Sequence, residues 1–410
     1  MKPSSMLLAC TVATMTTAAF AALLAADAAA PRQDAPQPHA APATLRVADL
    51  SPVLPMPADP AVLFADDFAR APGAGRYFEY NAQKGSFVWD AEAGLGGGGG
   101  AMRARFEPGQ VEAGSLKVVF GKNPFGRGPR PSEIFSDIFW RVYVKHEAGW
   151  QGSPAKLARA TAMAGTDWSQ GLIAHVWSGK EPVLVIDPAT GITDGRKVTT
   201  RYNDFSHLRW LGLRRGRTPL FATGESGRWV CIESRVRVNT PGRSDGVFSL
   251  WVDGRLEAER TDLDWHGAWR DYGVNAVFLE NYWNGGSVRR QARWFDGFVV
   301  STTSVGPLRT TAAPILTRTA SGSGAISAWQ AQAAADPDGR DVVWTSASAD
   351  GGATRLTVGG GARGAFSGSR AGMTALGAGR AYWLRLRQRG PSGVWSGWSA
   401  WHAPFRTAPG

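Results

Sequence analysis

At 410 residues the chain is longer than one hydrophobic core commonly serves, so a processed N-terminus and two folded units are expected. Its 51 glycines, 25 prolines and 18 tryptophans, with short Val/Ile/Phe/Trp runs set between turn residues, exclude a helical bundle and point to an all-β protein. The net charge of +11 comes mostly from arginine; it is compatible with a genomic base bias and equally with a partner that is an extended polyanion. Nucleic acid is set aside because no basic helix, zinc-ligand spacing or RNP motif occurs.

The chain begins with one basic residue, an apolar stretch and small residues around Ala28–Ala30, the pattern of a signal peptide over 1–30. Export to the periplasm, the cell surface or the medium follows. Too few apolar residues precede Cys10 for a good lipoprotein site, so lipid anchoring there is the lesser reading. Residues 31–58 are rich in Ala and Pro and read as a linker. Without Cys10 only Cys231 remains, which removes an intramolecular disulfide and leaves stability to the core. Beyond the N-terminal segment no run is apolar for long enough to span a membrane.

Residues 59–308 read as one sandwich. Strands are expected at Ala101 to Phe106, Ser115 to Phe120, Ile134 to Lys145, Leu172 to Trp177, Pro182 to Asp187, Val230 to Val238, Val247 to Val252 and Val274 to Glu280. Leu63–Arg70 and Arg293–Gly306 bracket them and are expected to pair. On Val230 to Val238 the residues Val230, Ile232, Val236 and Val238 share one face, with Cys231, Glu233, Arg235 and Arg237 on the other. Phe248, Leu250 and Val252 point inward after a polar turn, with Trp251 opposite. The 189–227 stretch lacks periodicity and reads as an irregular excursion over one end of the sandwich.

The segments Trp229-Val-Cys-Ile-Glu233, Asn239-Thr-Pro-Gly-Arg-Ser-Asp-Gly246 and Trp251-Val-Asp-Gly254 resemble the strands of concanavalin A-like jelly-roll polysaccharide lyases of the alginate and glucuronan type. Gly149–Met163 is similar to the lysine-bearing segment of those enzymes: Lys156 and Leu157 align, the flanking glycines and the proline do not. The resemblance implies a jelly-roll β-sandwich and eliminative cleavage of an acidic, uronate-containing polysaccharide. Such a lyase must neutralise the carboxylate, remove the C5 proton and protonate the departing oxygen. Arg141 or Arg159 is expected to do the first, His175 or Lys156 the second, and Tyr202, Tyr143 or Tyr282 the third.

Aromatic and basic residues alternate on Phe139, Arg141, Tyr143 and Lys145, a pattern suited to stacking sugars and pairing their acids. With Trp177, Glu233, Trp251, Asn281 and Tyr282, Arg141 and Tyr143 make the expected substrate surface. No cofactor is required; a structural calcium ion held by Asp67 and Asp296, between the first and last strands, is the metal the pattern allows. A non-catalytic carbohydrate-binding or surface adhesion protein fits the same residues. Hydrolysis is disfavoured because no strand carries the paired acids of a glucanase.

Residues 309–410 read as a second sandwich. Tyr382, Leu384 and Leu386 alternate inward, and Trp395-Ser-Gly-Trp-Ser399 follows a turn; these strands resemble the end of a fibronectin type III domain. Arg385 and Arg387 are placed to stack on the tryptophans. A monomer is expected.

Overall fold

The computed structural model describes residues 45–47, 59–95, 99–179, 181–307, 309–318 and 325–407. The expected signal peptide, Cys10 and most of the Ala/Pro-rich stretch lie outside the described residues. Regular structure is almost wholly strand, with short 3-10 turns, as the composition requires. Among the described residues no helix is long and apolar enough to cross a membrane.

Two eight-stranded sheets, each paired antiparallel throughout, build the jelly-roll sandwich. The front sheet runs Arg209–Trp210, Leu184–Thr190, Gln170–Ser178, Lys156–Met163, Ala276–Tyr282, Glu112–Val119, Glu79–Asn81, with Arg214–Arg215 also on Leu184–Thr190. The back sheet runs Arg255–Leu263, Gly246–Val252, Trp229–Arg237, Asp137–His146, Gln291–Ser301, Ala101–Phe106, Phe87–Asp90. Val62–Asp66 joins it on Gln291–Ser301, so the first and last strands of the sandwich pair as expected.

Alternation decides which faces meet. Val230, Ile232, Val236, Phe248, Leu250 and Val252 from the back sheet and Leu116, Val118, Leu172, Ala174, Val277 and Leu279 from the front sheet share one core. Each large aliphatic or aromatic side chain so buried contributes about 1.5–3 kcal/mol, which sustains a fold whose Cys231 is a free, buried thiol.

The second unit has a seven-stranded sheet containing Ala328–Ala334, Val342–Ser346, Ala381–Arg389 and His402–Thr407, and a three-stranded sheet. Its core holds Trp329, Trp344, Tyr382, Leu384, Leu386 and Phe405. The three-stranded sheet revises the linker expectation: Leu45–Val47 is an edge strand, antiparallel to Ile315–Arg318, which in turn pairs with Arg355–Thr357. Leu45 and Val47 are buried in the second unit's core.

Between the units the chain is clamped. Glu233 accepts hydrogen bonds from Ser304 Oγ and from the backbone N–H groups of Val305 and Gly306, at 3.1, 2.7 and 2.9 Å. Arg141 donates to the Gly306 carbonyl at 3.1 Å, and the Trp383 indole donates to the Asp253 carbonyl at the back sheet's turn.

Candidate active site

The outer face of the front sheet carries a polar row set by strand register: Glu79, Lys117, Phe278, Arg159, His175, Asp187, each the partner of the next. A second row runs Glu112, Tyr282, Lys156, Trp177. Lys156 and Arg159 are three apart, which simple alternation would send to opposite faces. A register shift between Lys156 and Ala158 resolves this, because Leu157 and Ala158 both enter the core and return the alternation in phase.

Arg159 is fully buried and organises what stands above it. Its guanidinium donates to Asn203 Oδ1 at 2.7 Å, to Glu280 Oε1 at 2.7 Å and to the Tyr202 hydroxyl. Tyr202 donates in turn to Glu280 Oε1 at 3.3 Å. The tyrosine and asparagine come from the irregular excursion, which folds against the sheet rather than hanging free of it. Asn203 has a left-handed backbone, φ +51°, a conformation asparagine tolerates better than most residues and one that turns its amide toward Arg159.

A cavity of about 190 Å³ opens beside this group, lined among others by Glu112, Ser115, Lys117, Lys156, Tyr202, Asn203, Glu280 and Tyr282. Lys117 is engaged by Glu79 and lies 4.8 Å from the Trp168 ring centroid. Lys156 sits 4.8 Å from the Tyr282 ring centroid, and among the described residues no carboxylate or hydrogen-bonding partner takes its amine. A larger depression of about 480 Å³ lies elsewhere, at Asp66, Asp67, Arg70 and Arg76; Arg76 and Tyr77 already satisfy Asp66 there.

Burial lowers the Lys156 amine from its ordinary value; Arg159 and Lys117 add to this and Glu280 and Glu112 oppose it. Burial raises the Tyr202 hydroxyl, and Glu280 adds to it against Arg159, so the phenol stays protonated. For Glu280 burial would raise the carboxyl, but Arg159, Lys156 and Lys117 outweigh it and hold it below its usual value. The cavity thus presents an amine eased toward its neutral form next to a phenol kept as an acid.

His175 is buried beneath Trp177, ring centroids 4.2 Å apart and near parallel, with Nδ1 3.3 Å from the Asp187 carbonyl. Burial, with Arg159 and Lys156 behind it, keeps its imidazole neutral, and it does not line the cavity. Trp177 extends the stack to Trp210 and then Phe205 on the excursion.

The remaining expected residues separate. Tyr282 lines the cavity. Asn281 lies at its edge but is buried, donating to the Gly114 carbonyl and accepting from Arg293 Nε, so its amide is committed to the scaffold. Arg141, Tyr143, Glu233 and Trp251 stand on the outer face of the back sheet, across the whole core from Lys156. Arg141 and Glu233 are consumed by the clamp to Gly306, and Trp251 stacks on Phe139 at 6.4 Å. Arg159 itself is fully buried, so the guanidinium expected to meet a carboxylate is closed off from any ligand in the cavity.

Asp67 accepts from Ala69 N, and Asp296 accepts from Leu95 N and Gly297 N. Burial, with a smaller push from Asp67, raises Asp296 to about 7. Two carboxylates, each occupied by backbone N–H groups, do not fit the cage of six or more oxygens, roughly, that calcium takes. Among the described residues no cluster of three or more His, Cys, Asp or Glu is placed to hold a metal.

Asn203, Glu280 and Lys117 are the residues that the sequence did not single out. Glu280 lies in the polar and aromatic strand end 280–284 that reads as a ligand-holding rim, but only Asn281 and Tyr282 of it are expected at the substrate, and its partner Arg159 is distant in the chain.

No protein-family model matches the sequence, and no curated protein matches it. Solved structures similar to the chain include the endo-β-1,4-glucuronan lyase of the fungus Trichoderma reesei, 15% identical over 59% of this chain and 96% of that one, TM-score 0.40. An alginate lyase from a Chlorella virus is 13% identical over 55% and 99%, TM-score 0.38. The alginate lyase of the marine Aplysia kurodai is 13% identical over 59% and 98%, TM-score 0.39.

Proposed function

We propose that the protein is an exported polysaccharide lyase that cleaves an acidic, uronate-containing polysaccharide by β-elimination in the cavity of the front sheet. The observation that carries this reading is Lys156: an amine without a counterion among the described residues, lowered by burial, facing the same cavity as the protonated Tyr202. In this assignment Lys156 takes the C5 proton, the C4–C5 double bond forms as the C4–O4 bond breaks, and Tyr202 delivers its proton to O4. The Asn203 amide, its oxygen polarised by Arg159, and Lys117 receive the uronate carboxylate. Arg159 and Glu280 act as positioning residues, holding Tyr202 and Asn203 in place. His175 keeps Trp177 seated and has no step in the chemistry.

The C-terminal unit is read as fibronectin type III-like. Support comes from the buried Tyr382, whose hydroxyl accepts from Gly377 N at 2.8 Å, five residues upstream in the manner of a tyrosine corner.

The test is ultraviolet absorbance of the unsaturated uronate product while the protein is incubated with alginate, glucuronan, pectate and glycosaminoglycans. A rise with one polymer establishes elimination and names its class. The complete burial of Arg159 favours a second reading, a binding protein without chemistry, and retention on one polymer with no rise in absorbance would select it.

A further inference from the structure

The second unit has a charged surface that the front-sheet cavity does not use. On Ala381–Arg389 the residues Tyr382, Leu384 and Leu386 enter the core, which sends Arg385, Arg387 and Arg389 to the other face. The segment after the turn runs beside this strand through its serines. Ser399 N bonds to the Leu386 carbonyl, Ser396 N bonds to the Gln388 carbonyl, and both hydroxyls accept strand N–H groups. That pairing lays Trp398, between the serines, and Trp395 and Trp401, on either side of them, over the arginines.

The result alternates ring and cation: Trp401, Arg385, Trp398, Arg387, Trp395, Arg389. Successive guanidinium carbons lie 4.3, 5.0, 4.7, 4.7 and 5.5 Å from the neighbouring ring centroids. Gln332, Gln330 and Ser327 accept from the arginine Nε atoms. These partners are neutral, and among the described residues no carboxylate stands within salt-bridge distance of the three arginines. Many jelly-roll arginines differ in this: Arg76, Arg103, Arg130, Arg159, Arg228 and Arg235 each meet an acid, whereas Arg141 and Arg293 there bond to neutral oxygens.

We propose that this ladder is a second binding site, for the carboxylates or sulfates of an acidic polysaccharide lying along the strand. The indoles hold each guanidinium in a fixed plane, the Gln332 and Gln330 amides and the Ser327 hydroxyl take the inner N–H groups, and outward N–H groups are left for anionic oxygens at intervals of about 6.6 Å, two strand residues apart. Nucleic acid fits less well, because single-strand binding needs free aromatic faces for the bases and these faces are already covered by arginine. A neutral glycan loses the same stacking surface and meets no counter-charge.

The site is tested by calorimetric titration of the full chain with a short alginate oligosaccharide. Two sites are expected, and Arg385→Gln with Arg387→Gln weakens the one whose affinity falls more steeply with salt, about tenfold or more. Turnover of the short oligosaccharide in the cavity stays unchanged. Binding can be read whether or not elimination occurs, so failure of the lyase reading leaves this test intact. A folded glutamine variant that keeps every site of the unaltered protein at full affinity, whether that protein shows one or two, overturns the proposal. Equal binding of a neutral cello-oligosaccharide or of single-stranded DNA overturns it too. If the glutamine pair lowers the melting midpoint, Arg385→Lys with Arg387→Lys decides: it must keep the salt-sensitive site in weakened form, and its loss in a folded protein refutes the role of charge.

Discussion

The outer faces of the two jelly-roll sheets carry similar residues and meet opposite fates. On the front sheet Lys156, Lys117, Glu280 and Tyr282 surround a cavity open to a ligand. On the back sheet Arg141, Tyr143 and Glu233 follow the same alternation, yet the clamp to residues 304–306 covers Arg141 and Glu233, and Tyr143 packs with Cys231 and Trp229. Alternation identifies a non-core face; what later segments of chain do to that face decides whether it binds anything.

The comparison breaks most sharply at Lys156. Lys156→Ala should lower the elimination rate by about 10²–10⁴-fold, the size of a general base's contribution, with substrate retention largely kept. Tyr202→Phe should cost about 10²-fold or more in the same assay. If instead Arg141→Ala, in a folded protein, abolished activity while Lys156→Ala did not, the back sheet would be the working face.

Stability gives the next contrast. Glu280→Gln leaves the fully buried Arg159 without its counter-charge and should destabilise by about 3–5 kcal/mol in urea unfolding. Glu280 is depressed in the folded state, so its contribution is present above its unfolded value and is lost as pH falls through the folded one. Part of the jelly roll's acid unfolding should therefore vanish in this variant. On the back sheet Glu233→Ala strands the Val305 and Gly306 N–H groups and should cost about 1–3 kcal/mol with no effect on elimination.

The smallest effect sharpens the acid–base assignment. Elimination should rise with pH as Lys156 loses its proton, with a midpoint below the ordinary lysine value, and should fall only in strong alkali as Tyr202 ionises. A rate that declines through neutral pH would assign the proton transfers elsewhere.

Much of the scaffold was legible because period-two patterns report burial directly. Val230, Ile232, Phe248 and Leu250 lie where alternation places them, and the outermost strands pair as expected. The cavity was less legible for three physical reasons. The register shift at Lys156 places it and Arg159 on one face against the alternation. Tyr202 and Asn203 lie in a stretch without periodicity, where only family resemblance marked the tyrosine and nothing marked the asparagine. The pairing of Arg159 with Glu280 is a long-range contact between adjacent strands, which a local pattern does not encode.

The strand Leu45–Val47 has a consequence for how the molecule is made. The chain contributes an edge to the second unit, departs to build the whole jelly roll, and returns to finish what it began, so the jelly roll is an insertion within its neighbour. During synthesis this strand emerges early, while its partner Ile315–Arg318 emerges only after the jelly roll is complete. Until then Leu45 and Val47 wait without a core, and a segment that looks like dispensable leader closes the last seam of the fold.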